Sequence, residues 1–484
     1  LFGRTSLTLC ERSEEKRETG HLKASSSVGA TSRALVQKAF DAGRYAIVSS
    51  TGVLPPALQG IWTGTWRPNW SGDFTLNGNV QSAVAASLPG NHHECLRATL
   101  DYLSGLIDDF RTSARELFAF RGIYVPWRAS THGQCHYAGY KDGHNAFPGT
   151  YWFAGTAWWA WFYYDYWLYT GDDEFFRTQL TPYFLEAADF YEDYLCVERD
   201  GRLVLVPSYS PENTPTGGHG LQPNATMTIA STRQLLRTLL TIGDRLGVDR
   251  ARQERWRTVL AKMPDYTIDP SGALSEWAWP AVTNNDQHRH ASHLYPVYDG
   301  VAPEVARSRE LREACRVAIE KRLEYRRERN GAEMAFGLVQ LGMSAAYLRD
   351  TALAYECVEW LTNGYWSPAM VSQHDPGDIL NVDTSGGLPA VIMTMLVQSF
   401  EPQSPGAPWR ISILPCLPRE WPNGSLEGIR CRGGFEVSIT WAAGALERLH
   451  VVTLRGERCQ IEYRGRTEEA PFSDGRWVRA SDGE

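Results

Sequence analysis

Residues 33–49, RALVQKAFDAGRYAIVS, repeat apolar side chains at helical spacing, and the same rhythm returns along the chain to about residue 400. It predicts further helices over 97–120, 151–170, 182–196, 227–246, 303–323, 332–348, 351–362 and 388–400. Long loops rich in Gly, Pro, Asn and His separate them. Val- and Ile-rich runs of strand length scarcely occur before residue 400, so the strand–helix alternation of a parallel sheet or a TIM barrel is missing. No fixed-period repeat argues for a solenoid. What remains is a mainly α fold, and with so many helices and its polar candidates confined to loops, an α/α toroid fits better than a small bundle.

Outside that region the pattern changes. Residues 11–32 are charged and then Ser/Gly-rich, the composition of a linker or loop. A Pro-rich joint, EPQSPGAPW (401–409), precedes the short β-type runs WRISILPCLP (409–418), IRCRGGFEVSITWA (429–442), LERLHVVTL (446–454) and CQIEYRG (459–465), which turn-forming residues separate. The expected organisation is a linker or remnant over 1–32, a barrel over 33–400, and a small antiparallel, sandwich-like β domain over 401–484 that supports rather than reacts.

With 484 residues, 43% of them hydrophobic and 21% charged, the chain has the composition of a folded globular protein rather than a disordered one. Its net charge of −8 comes with no basic stripe to meet a phosphate backbone, so nucleic acid is not an expected partner. The most apolar stretch, 151–170, is interrupted by Asp165 and several tyrosines and falls short of the roughly 20 apolar residues a bilayer demands. Nine cysteines show no CxxC pair, which points to neither a zinc knuckle nor a dense disulfide framework. The opening LFGRTSLTLCERSEEKRE has no initiator Met and no signal-peptide pattern. It reads as the start of a fragment, and sequons at Asn69, Asn224 and Asn423 fit a secreted parent.

Aromatic residues are the compositional outlier, with 18 Trp, 22 Tyr and 17 Phe. Such rings fill cores, and they also floor sugar-binding clefts, being flat and apolar with a polar edge. Trp62, in IWTGTWRPNW (61–70), is a candidate platform of this kind. Just after it, GDFTLNGNVQ (72–81) carries Asn77 and Asn79; on an extended segment the two carboxamides share a face, while an Asn-Gly turn would bind them to local backbone instead. In LVPSYSPENTPTGG (205–218), Glu212 is the best candidate for a proton donor, provided aromatic walls raise its pKa; a solvated loop glutamate is the plainer alternative.

NNDQHRHASHLYPVY (284–298) holds Arg289 and His290, read as donors to substrate hydroxyls or as members of a structural network. His290 and His293 share a helical face, but no HExxH accompanies them and a metal site is not expected. In SQHDPGDILNVDTSGGLPAVI (372–392), Asp375, Asp378 and Asp383 precede a helix start; Asp383 is either its cap or an orienter of a nucleophilic water. Glu276, in LSEWAWP, is expected to be solvated or to serve packing. Neither GxSxG nor a phosphate-binding glycine loop occurs, which removes most of the weight from serine hydrolase, kinase and dehydrogenase readings.

Taken in order, GRYAIVSSTGVLPPALQGIW (43–62), FTLNGN (74–79), YWLYTGDDEFF (166–176), VPSYSPEN (206–213), GALSEW (272–277), HRHASHLYP (288–296) and LPCLPREWPNGSLEGIRCRGGFEV (414–437) resemble glycoside hydrolase family 95, the inverting α-L-fucosidases. LFGRTSLTLC (1–10) resembles the stretch after that family's N-terminal β domain, which would normally pack on the barrel and is missing here. The resemblance implies an α/α six-hairpin barrel flanked by β domains, a terminal α-L-fucosyl glycan as substrate, and no cofactor. It also implies Glu212 as general acid, Asn77 and Asn79 as holders of the attacking water, Asp383 as the group pulling on that carboxamide, and Arg289 and His290 as sugar-binding residues. The usual inverting pair uses one carboxylate to activate water directly.

This chain departs from the family where QSAVAA (81–86) replaces an expected MNYW, where VDTSGGL (382–388) replaces IDGNFGG, and in the loop RGIYVPWRASTHGQCHYAGYKDG (121–143). These positions surround the expected cleft and bear on subsite specificity. Thr75 stands where the family's fucosidases tend to carry His, and a smaller residue there leaves space for the CH2OH of L-galactose. Two alternatives follow: an α-L-galactosidase of the same family, or a carbohydrate-binding relative without turnover.

Overall fold

The structure, a computed structural model, describes residues 1–135, 148–329 and 333–480. Its helical part is built from paired outer and inner elements. The outer ones are α1 (Arg33–Ser50), α3 and α4 (His93–Gly105 and Ile107–Phe118), α6 (Thr181–Tyr194), α8 (Arg250–Lys262), α9 (Arg309–Glu328) and α11 (Thr351–Gly364). The inner ones are α2 (Asn79–Val84), α5 (Ala154–Thr170), α7 (Thr226–Ile242), a 3-10 turn (Ser292–Val297), α10 (Ala335–Leu348) and α12 (Asp383–Leu396). Following the chain, each outer element leads to an inner one. Around the inside, α5 packs on α7, α7 on the 3-10 turn, the turn on α10, α10 on α12, and α12 on α2. This is the α/α toroid.

Hydrophobic pattern explains which helices go inside. In α5, AGTAWWAWFYYDYWLYT, all but three residues are buried, and α10 and α12 are likewise buried nearly all round. A helix apolar on every face belongs in a core. By contrast α8 buries only Gln253 and Trp256, and α9 buries a single stripe. The missing stripe is why apolar spacing alone did not predict α8. Close approach between inner elements needs small residues: a Cβ on Gly337 in α10 would meet the Arg289 carbonyl oxygen at 1.8 Å.

Several expected boundaries move. The helix expected over 97–120 is two, broken at Leu106, and the one expected over 388–400 begins at Asp383 and ends at Leu396. Residues 397–400 are instead strand β2, because β3 (Trp409–Ile413) offers them a ladder that outweighs helical continuation. The stretch read from composition as a linker carries two short helices, Arg12–Glu15 and Thr19–Ala24, and Ser6–Thr8 forms strand β1.

Beyond β3 lie β4 (Gly424–Cys431), β5 (Phe435–Ala442), β6 (Ala445–Thr453), β7 (Cys459–Tyr463), β8 (Arg466–Glu469) and β9 (Arg476–Ala480). They form two sheets, in the orders β1-β4-β5-β6-β9 and β8-β7-β3-β2, antiparallel except where β7 runs parallel to β3. Phe435, Val437, Ile439 and Trp441 alternate inward along β5, the period-two pattern of a half-buried strand.

Arg432, in the β4–β5 turn, ties this region to the barrel. Its guanidinium binds both Asp165 oxygens of α5, at 2.5 and 2.9 Å, and donates to Asp299 at 3.3 Å and to the Ser399 carbonyl at 2.9 Å. Arg432, Asp165 and Ser399 are buried, and the guanidinium lies near the Trp161 and Tyr169 rings. Removing one member of a buried pair leaves the other charge uncompensated. Arg432→Met is therefore expected to cost about 3–5 kcal/mol, seen as a fall in the urea midpoint; an unchanged midpoint would show that the pair does not hold the two regions together.

Candidate active site

Starts of inner helices converge at one end of the barrel and bring the chemistry together. Asn79 opens α2, Asp383 opens α12, and the SPEN loop carrying Glu212 leads toward α7. For Asn77 and Asn79 two arrangements were open, side by side on an extended segment or in an Asn-Gly turn. The strand there is only Phe74–Thr75, paired with Arg128–Ala129, and the chain turns at Gly78, whose φ is +142°. A Cβ at Gly78 would sit 2.2 Å from the Phe336 ring, so the turn needs glycine on both counts. In consequence the two carboxamides separate: Asn77 Nδ2 donates to Glu212 Oε1 at 3.1 Å, and Asn79 Nδ2 donates to Asp383 Oδ2 at 2.6 Å. The short NGN element thus stands between two carboxylates.

Glu212 is also met by Arg289 Nη2, at 2.6 Å, and by His290 Nε2 at 4.0 Å. Arg289, read as a donor to substrate hydroxyls or as a member of a structural network, is engaged with Glu212, with His288 Nε2 at 3.2 Å and with Met334 Sδ at 3.1 Å. The reason is local: Ala291 N–H donates to Gln340 Oε1 of α10, which pins the HRH segment beside the SPEN loop. His290 is buried against the edge of Phe336, and burial together with the neighbouring Arg289 charge holds its pKa well below the usual histidine value. It is a neutral ring.

Asp383 is the first residue of α12 rather than its cap, and its N–H donates to Asn381 Oδ1 at 2.7 Å. A carboxylate in the first turn gains from the helix dipole, yet burial is the larger effect. It pushes the Asp383 carboxyl up to about 7 despite the opposing hydrogen bond from Asn79. Among the described residues, Asp383 Oδ1, Asn77 Oδ1 and His290 Nδ1 are buried without hydrogen-bond partners. Such atoms occur elsewhere in the chain as well; these three are set apart by lying beside the Asn77–Glu212 and Asn79–Asp383 pairs.

Other expected residues fall as follows. Thr75 is buried, its hydroxyl donating to Asp73 Oδ1 at 2.8 Å, and Asp73 pairs with Arg128 at 3.4 Å. Trp62 is 40% exposed, with its ring over Gly60, in a loop whose Leu58 carbonyl accepts from Val382 next to Asp383. Asp375 binds His374 Nδ1 at 2.8 Å, and the His374 ring lies 5.0 Å from Trp70. Glu276 was expected to be solvated or to pack; it is wholly buried and hydrogen-bonded on both oxygens. Residues 136–143 of the divergent loop lie outside the described residues. Sequence reading missed Asn381, His374, Asp73 and Arg322, because each acts on a partner remote in sequence or through a backbone turn.

Among the described residues no group of three or more His, Cys, Asp or Glu side chains is placed to hold a metal ion, and no helix is long and apolar enough to cross a membrane.

Solved structures share the fold. A protein described as a kojibiose phosphorylase from the human microbiome superposes with a TM-score of 0.62 at 9% identity, over 92% of this chain and 59% of that one. The α-L-rhamnosidase of Aspergillus terreus does so with 0.53 at 14% identity, over 93% and 49%. These place the chain in the class of helical-toroid proteins. Residues 1–396 match the glycosyl hydrolase family 95 catalytic domain and residues 406–479 that family's C-terminal domain, so the chain belongs to glycosyl hydrolase family 95. It is 29% identical over 454 residues to alpha-L-fucosidase 2 of Arabidopsis thaliana, covering 91% of this chain and 52% of the relative. It is 27% identical over 427 residues to "Probable alpha-fucosidase A" of Aspergillus niger, covering 83% and 51%. The chain spans about half the length of these relatives.

Proposed function

We propose that this chain is the catalytic part of an inverting exo-glycosidase that removes terminal α-L-fucosyl groups, α-1,2-linked ones included. The observation that carries the reading is the crossed pairing Asn77–Glu212 and Asn79–Asp383. The names of the relatives supply the sugar. In this reading residues 33–400 carry the chemistry and 401–484 support them.

An ionised carboxylate only accepts hydrogen bonds, so the Asn79 amide nitrogen faces Asp383 and its oxygen faces away. As the glycosidic bond breaks, protonated Glu212 gives its proton to the leaving oxygen. Water attacks the anomeric carbon from the opposite face and passes a proton to the Asn79 carboxamide oxygen, while Asn79 Nδ2 yields one to Asp383. Arg289, already in contact with Glu212, stabilises the carboxylate that this leaves. Asp383 thereby acts as a base through Asn79, and attack opposite the leaving group inverts the anomer.

A second sugar is favoured by one observation. Thr75 is small and its hydroxyl joins Asp73, a polar pair suited to the CH2OH that L-galactose carries and L-fucose lacks. Even a hydrophobic pocket rejects an added hydroxyl by only about 10²-fold, so the L-galactosyl group is expected to turn over beside this polar pair.

Proton NMR of the chain with a Fucα1-2Gal oligosaccharide, and in parallel its L-galactosyl counterpart, tests the reading. β-Sugar is expected to appear first. Initial α-sugar would refute inversion, and binding with no release from either glycan would favour a carbohydrate-binding protein without turnover.

A further inference from the structure

We infer that the buried Glu276–Arg322 pair is a positioning device for Glu212, setting its carboxyl by gripping the loops on both of its sides; this rests on the reading of Glu212 as the acid. Glu276 touches nothing that would meet a substrate. Its side chain is wholly buried, and its backbone is locked, the N–H donating to Asn284 Oδ1 at 2.7 Å and the carbonyl accepting from Thr226 at the start of α7 at 2.9 Å. From that anchor the two carboxylate oxygens reach the SPEN loop. Oε1 accepts from Ser210 Oγ at 2.8 Å and Oε2 from Asn213 Nδ2 at 2.6 Å. Ser210 and Asn213 bracket Pro211 and Glu212, and Asn213 N–H closes the turn on the Ser210 carbonyl at 2.9 Å.

Arg322, on α9, extends the grip to the second loop. Nη2 donates to Glu276 Oε2 at 2.8 Å, while Nη1 donates to the carbonyls of Asn285 at 2.6 Å and His288 at 3.3 Å. That backbone leads directly into Arg289, whose guanidinium holds Glu212. A cross-link joins the loops, Asn285 Nδ2 donating to Asn213 Oδ1 at 3.1 Å. His293 Nδ1 lies 3.8 Å from Glu276 Oε2, a ring that burial keeps neutral. One ion pair therefore fixes the carboxyl from below and its arginine partner from the side. Stability alone is a poor reason for such an arrangement, since apolar replacements of buried pairs are often neutral or better. Position is a better one: a displacement near 1 Å at a reacting group costs about 10²-fold in rate.

The test compares two substrates of the intact chain: a Fucα1-2Gal oligosaccharide, whose departure needs a proton, and α-L-fucosyl fluoride, whose departure needs little help. Asn213→Ala keeps the Glu276–Arg322 pair and cuts its link to the loop; Glu276→Gln alters the pair itself. Both are expected to lower kcat on the glycan by about 10–100-fold with KM nearly unchanged, while the fluoride rate stays close to wild type. Equal losses on both substrates, or no loss in Asn213→Ala, would overturn the proposal. Where Glu276→Gln fails to fold, Asn213→Ala decides. Glu212→Gln is run beside them: if it shows the selective loss and Asn213→Ala does not, positioning fails and the acid reading stands. If Glu212→Gln shows no selective loss, the acid reading fails and takes the inference with it.

Discussion

Glu212→Gln is expected to slow hydrolysis of an unactivated fucosyl glycan by about 10²–10⁴-fold, or about 3–5 kcal/mol in the barrier, while the fold is kept. Glutamine is nearly isosteric. Its amide oxygen can still accept from Arg289, and Asn77, whose Oδ1 has no partner among the described residues, can turn to accept the new amide N–H. What is lost is a proton to give. The deficit is accordingly expected to shrink on a substrate whose leaving group departs as a stable anion. Initial rates on both substrates decide the matter, and a wild-type rate on the glycan would remove Glu212 from the acid role.

Asp383→Asn is expected to produce a loss of similar size, about 10²–10⁴-fold, and one that no leaving group relieves, because the water rather than the aglycone loses its help. Asparagine can still accept from Asn79 Nδ2, so the geometry is preserved while the charge that draws on the carboxamide is gone. A pH dependence follows. With its carboxyl pushed up to about 7 by burial, Asp383 is anionic above that pH and protonated below it. Since kcat/KM reports ionisations of the free enzyme, it is expected to rise with pH through about 7, and this limb is expected to vanish in Asp383→Asn.

Stability should move the other way. A folded-state pKa above the unfolded value near 3.8 means the fold holds the proton more tightly, so stability falls as pH rises between about 4 and 7. Asp383→Asn escapes that loss and is expected to be at least as stable as the wild type at pH 8. A less stable variant at that pH would show that the carboxylate serves the fold rather than the water.

Much of the fold was legible because packing periodicity is local. The run 33–49 reads as helix and is α1, and the strongly apolar 151–170 reads as helix and holds the inner α5, nearly every face of which is buried. Helix α8 carries too few apolar positions to be read this way, and β1 is three residues long and pairs with β4 more than 400 residues away. At the candidate site the residue types were legible but the pairings were not. Sequence left Asn77 and Asn79 either side by side on an extended segment or in an Asn-Gly turn; the turn at Gly78 against Phe336 sends one to each carboxylate. Glu276 read as solvated or packing because Arg322, its charge partner, is 46 residues away on helix α9.

Sequence by itself determined the helical class, the switch to strands near residue 400 and the family, and it singled out Asn77, Asn79, Glu212, Arg289, His290 and Asp383 as candidates. All of these rest on spacing and order within short segments, where each residue's neighbours along the chain are its neighbours in space. Only the tertiary structure decided which carboxamide serves which carboxylate, that Arg289 turns to Glu212, and that burial lifts Asp383 toward neutrality. Those depend on contacts among helices distant in sequence and on the exclusion of water from the space they enclose.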